Sequence, residues 1–280
     1  MGVRSCPPFP GLAGLTVPLA GAAGLAVVLT SAYRGTDAWL IWSCAAVALA
    51  AASGAAFVHG LRRWAELAAL GDVPAQVVAR PLALLYAISG AVLVLVLRGD
   101  LAHAWRALVL IALAAWGLAP GAATMVGVGH VARIRADAAH TAPGVQLGTL
   151  ISAGRLLQSL LTVMGGIVAL LVIAEATSQR MHAQTSIETT LVFGACSSTL
   201  VAVVYAPVAA KLRQRGRELV DICHPLGPLA PDELAEALDK RSRMETALGV
   251  DRTAFGDIQT NLVVVGPLLA GAASVFLSRQ

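Results

Sequence analysis

Seven apolar runs, each about long enough to cross a bilayer, constrain this chain more than any other feature. They fall at residues 12–33, 39–59, 81–97, 107–128, 156–174, 189–210 and 258–277. A helix needs about 20 mostly apolar residues to cross hydrocarbon ~30 Å thick. No water there satisfies backbone N–H and C=O groups, so each crossing must be a helix or part of a closed barrel. Barrel strands of about 10 residues alternate apolar with polar, whereas these runs are continuous in Ala, Leu, Val and Gly. Charged residues make up 13% of the chain, about half the fraction usual in soluble domains. The sequence therefore predicts an all-α integral membrane protein, a single polytopic domain over 1–280. The expected form is a bundle of about seven transmembrane helices with one cytoplasmic amphipathic helix before the last span.

The first run reads as a retained span rather than a cleaved signal peptide. Its core is long, and its start carries one Arg and Pro7, Pro8 and Pro10, where a signal peptide wants a basic start and a shorter core. Trp39 and Trp42 fit an interfacial aromatic belt. Pro81 opens the third run, where its missing N–H does no harm. Pro120 and Pro267 predict kinks.

Orientation follows from where Lys and Arg fall. One side collects Arg62, Arg63, Arg80, Arg133, Arg135, Arg155, Lys211, Arg213, Arg215, Arg217, Lys240, Arg241, Arg243 and Arg252. The other collects Arg4, Arg34, Arg98, Arg106, Arg180 and Arg279. The bias predicts a multi-pass plasma (inner) membrane protein with the N terminus outside, the 211–257 segment cytoplasmic and the C terminus outside. The composition, with Lys211 and Lys240 the only lysines, suggests a GC-rich bacterial genome. The net charge of +4 is spent between apolar runs, against anionic headgroups. The bilayer and those headgroups are thus the expected partners, and nucleic acid is not.

Residues 211–257 form the most informative soluble stretch. Four basic residues follow the sixth run directly, and Pro225, Gly227, Pro228 and Pro231 then interrupt the chain. Pro231-Asp232-Glu233 reads as a helix start, with acids at the positive end of the dipole. Leu234, Ala237, Leu238, Met244, Ala247 and Leu248 recur at helical spacing, and Gly249 is a natural stop. Glu236 with Lys240 and Asp239 with Arg243 are acid-before-base pairs four residues apart. The segment predicts an amphipathic helix of about five turns, either covering the inner ends of the spans or docking a cytoplasmic protein.

Residues that carry chemistry are sparse. No ionisable side chain falls at the middle of a run, since Glu175, Glu188, Arg155 and Asp257 all lie at ends. Such residues inside a membrane are the usual mark of ion pathways, so coupled pumps are disfavoured. The histidines are scattered, with His59 and His130 near inner ends. Asp221, Cys223 and His224 offer three ligand types in four residues, but no second cluster accompanies them. Cys44 and Cys196 lie inside runs as small hydrophobes, and no CxxC occurs. The hydroxyls of Ser197, Ser198 and Thr199, with Ser89, Ser159 and Thr162, suit a polar interior that Gln158 would join. Gly117 and Gly121 make a GxxxG that permits close helix approach.

No catalytic, cofactor or metal residue is assigned on this reading, and no cofactor is expected. The favoured function is a non-enzymatic bacterial membrane component, a sensor, regulator or assembly subunit, that acts through helix packing and the cytoplasmic amphipathic helix. A permease or channel-like subunit for a small neutral or apolar solute is the alternative. An intramembrane enzyme on lipid or isoprenoid substrates, with Glu175 as its acid, is the third.

Overall fold

The computed structural model describes residues 10–31, 34–96, 101–137, 142–181, 187–225 and 231–250. Among them the chain is all-helical, with seven helices and no strand. They are α1 (Pro10–Leu29), α2 (Asp37–Leu70), α3 (Ala75–Val96), α4 (Leu101–Asp137), α5 (Pro143–Met181), α6 (Ile187–Cys223) and α7 (Pro231–Leu248). Four of them, α2, α4, α5 and α6, are long and apolar enough to cross a membrane, and α1 and α3 contribute shorter apolar stretches. The apolar run at 258–277, with Pro267, lies outside the described residues.

The long helices overrun the apolar runs that announce them. α2 has 34 residues, or about 51 Å at 1.5 Å per residue, against ~30 Å of hydrocarbon. The polar connections expected at 60–80, 130–154 and 175–188, and the start of the 211–257 segment, are therefore largely helix. The reason is visible in α2. Leu61, Trp64, Leu67 and Leu70 keep a helical stripe running past the apolar run, and the helix stops where the Gly71 N–H donates to the Leu67 carbonyl. Polar faces of these extensions carry local pairs, Arg63 with Glu66 and Arg215 with Glu218. α3 likewise begins at Ala75, after Pro74, so Pro81 lies inside the helix and not at its start. α1 ends earlier than its apolar run, at Leu29, where the Thr30 hydroxyl donates to the Val27 carbonyl.

α2 is the central helix. On one side it runs antiparallel to α1, with Gly24 against Ala50 and Gly54 against Thr16 and Val17. On the other it runs parallel to α4. A Cβ on Gly117 would lie 2.5 Å from the Ser53 carbonyl oxygen, and one on Gly60 would lie 2.6 Å from the Gly121 nitrogen. The GxxxG of α4 thus serves contact within this chain. Residues that side chains would separate let the two backbones approach, which is how helices pack where burial gives no hydrophobic gain. α5 runs antiparallel to α2, with His59 level with Ser159 and Trp42 level with Ala174.

Two apolar cores follow. One, at the end where α2 finishes, joins Leu67, Met125, Val128, Leu157, Leu160, Leu161, Tyr205 and Val208. The other, at the opposite end, joins Val27, Trp42, Leu49, Leu110, Ile167 and Ala174. Trp42, 2% exposed, is a core residue rather than part of an interfacial belt, because it faces α5. The start of α1 lies at the same end of the bundle as Arg62, since Gly14 and Arg62 line one cavity.

α7 is the amphipathic helix the sequence announces, over Pro231–Leu248, with Gly249 after it at φ +64°. Glu236 binds Lys240 and Asp239 binds Arg243, each at 2.7 Å. It folds back on the ends of α6 and α5. Arg241 donates to Asp221 of α6 at 2.6 Å and to Glu245 at 2.9 Å, and Val250 seats against Gly216. The hydrogen bond to Asp221, with that to Glu245, pushes the Arg241 pKa up.

Candidate functional site: a groove along α1, α2 and α5

A cavity of about 920 Å³ opens between α1, α2 and α5. Its walls are Gly14 and Val17 from α1, Ala52, Ala55 and Ala56 from α2, and Val163, Gly166 and Leu170 from α5. The space exists because these side chains are small. Nothing lies within 4 Å of where a Cβ on Gly14 or Gly166 would stand. Only His59 and Arg62 bring polar side chains to the wall, both at the end where α1 begins.

His59 links α2 to α5. Its Nε2 lies 3.1 Å from the Ser159 hydroxyl and 3.4 Å from Arg63 Nε. An arginine N–H can only donate, so Nε2 is the acceptor towards Arg63, and the Ser159 hydroxyl lies within hydrogen-bond reach of the same nitrogen. Arg63 also grips both oxygens of Glu66, at 2.9 and 2.8 Å. Its charge is answered locally. Arg62, one residue earlier and exposed, has no hydrogen bond or ion pair among the described residues, and no carboxylate lines the cavity.

The other residues singled out by sequence do not converge. Gln158 is exposed, and its neighbour Ser159 turns inward instead, because the helical step of 100° puts Ser159 on the α2 face. Thr162 and Thr199 donate to carbonyls of their own helices, Gln158 and Ala195. Ser198 is buried, Ser197 half-buried, and Ser89 lies outside the described side chains. Cys44 and Cys196 are exposed on outer faces. His130 is on α4 with its Nε2 buried and without a partner among the described residues. Asp221 is held by Arg241 rather than by Cys223 and His224. No three of His, Cys, Asp and Glu come together among the described residues.

Glu175 lies beside Trp42, Leu171 and Ser178, at the end of the bundle away from His59. The space there is about 10 Å³, at most roughly that of one water. Sequence reasoning passed over the groove because its signal is small residues on three helices, Gly14, Ala52 and Gly166 among them, and their convergence is set by packing. Comparisons with protein-family models, with characterised proteins and with solved structures find no match.

Proposed function

We propose that this chain is a non-enzymatic component of a bacterial plasma membrane, a sensor, regulator or assembly subunit that engages a cytoplasmic protein through α7. The reading includes seven spans, the last at 258–277, with the basic end of the bundle in the cytoplasm. The N terminus then lies in the cytoplasm too, and the C terminus outside. The observation that carries it is the condition of α7. The helix is tied to α6 by Arg241, while Leu234 and Leu238, four residues apart, remain 40% and 47% exposed. A helix that only covered the bundle would turn these leucines inward.

The test is co-purification of the full chain from its own membrane, beside a form lacking 232–248 and a Leu234→Ser/Leu238→Ser double variant. A stoichiometric protein that both alterations lose is the expected result. Association unchanged without 232–248 removes the main support. The groove favours a second reading, a permease-like subunit for a small apolar solute, which flux in proteoliposomes tests.

A further inference from the structure

We propose that the groove between α1, α2 and α5 is a binding site for a membrane lipid with an anionic headgroup. One acyl chain lies along the small-residue wall, and the headgroup phosphate meets Arg62, with His59 beside it.

Length and charge together favour this occupant. From Ala52 to Arg62 the wall rises ten residues along α2, about 15 Å at 1.5 Å per residue. That is about one leaflet, half of ~30 Å of hydrocarbon. The polar groups stand only at one end, as a lipid would require. The volume of about 920 Å³ lies within the roughly 300–1,000 Å³ of ordinary ligand sites. The wall is apolar from Val17 to Leu170, so it offers a polar solute nothing to bond. Arg63 is occupied by Glu66, which leaves Arg62 to answer the headgroup charge. His59 lines the same end of the groove beside Arg62, with its Nε2 against Ser159 and Arg63.

The experiment is native mass spectrometry of the full chain in detergent, titrated with phosphatidylglycerol and with phosphatidylcholine of identical chains. Wild type should retain phosphatidylglycerol about fivefold better, the worth of about one basic residue against an anionic lipid. Arg62→Gln should abolish the preference while leaving residual binding of both lipids. Gly166→Phe, placed where a side chain meets open space, should reduce both lipids while leaving the thermal midpoint unchanged. Equal retention of the two lipids by wild type overturns the proposal. So does a preference that survives Arg62→Gln. A preference lost with Arg62→Gln but untouched by Gly166→Phe means attraction at the surface without a groove. Displacement of the lipid by excess glycerol phosphate, which has no chains, shows a site for the free phosphate group and likewise overturns it.

Discussion

The contact of α2 with α4 and the contact of α6 with α7 are built on opposite principles. At the first, Ser53 with Gly117 and Gly60 with Gly121 bring two backbones together with almost nothing between them. The Thr124 hydroxyl donates to the Pro120 carbonyl of its own helix at 2.7 Å and reaches the Gly60 carbonyl of α2 at 3.4 Å. At the second, among the described residues, the charged pair of Arg241 with Asp221 and an apolar plug, Val250 with Leu248 beside it on Gly216, do the holding. The Arg241 side chain is 22% exposed and Asp221 60%. Water screens such a pair to a small net value, whereas a backbone seam has no slack at all. The seam of α2 with α4 is therefore the tighter of the two contacts.

The largest effect should come from breaking the seam. Gly117→Leu places a side chain where Ser53 backbone already stands, and should cost about 3 kcal/mol or more, read as a lowered thermal midpoint in detergent. Gly166→Leu, the same chemical change in open space, should stay within about 0.5 kcal/mol. If the two variants melt alike, the seam is not what holds α2 to α4.

An intermediate effect is expected at the plug. A Cβ on Gly216 would stand 2.6 Å from a Val250 methyl, so Gly216→Leu should expel Val250. Hydrogen exchange should then rise over α7, while the bundle keeps its midpoint. Arg241→Ala should raise exchange over α7 by less, because Val250 stays seated. A fall in the bundle's midpoint in either variant would erase the distinction between the two contacts.

The smallest effect concerns pH. The hydrogen bond and the charge of Lys240 hold the Glu236 carboxyl below its usual range. A folded-state pKa that is depressed means that the unfolded chain takes up the proton first as pH falls. The pair's contribution is present above the ordinary carboxylate value of about 4.3 and is lost as pH falls through the depressed one. Acidification through that window should raise exchange slightly in α7, and Glu236→Gln should remove the pH dependence. An unchanged response in that variant would assign it to another carboxylate.

Much of this architecture was legible beforehand, and the failures share a cause. The apolar runs from 12–33 to 189–210 lie on α1 to α6, and α7 lies where Pro231, the i,i+4 pairs and Gly249 put it. The misread segments were those where polarity was taken for loop. Arg62, Arg63 and Glu66 belong to a continuing helix, whose apolar stripe of Trp64 and Leu67 was the better guide. Gln158 and Ser159 show the same limit on a smaller scale, because polarity names a residue that needs a partner without saying which way it faces. Trp42 was placed at an interface by residue type alone, although the α5 helix covers it.

By itself the sequence determined the helical class, since backbone groups in hydrocarbon have no other partners. It also determined the amphipathic helix, because caps and i,i+4 pairs act within about five turns of one chain. The tertiary structure alone decided that the start of α1 shares an end with Arg62 and that Gly117 serves α2 rather than a second molecule. It also decided that Gly14, Ala52 and Gly166 leave a groove open beside His59. Each of these depends on which helix faces which, and that is settled by contacts between residues far apart in the chain, such as His59 with Ser159.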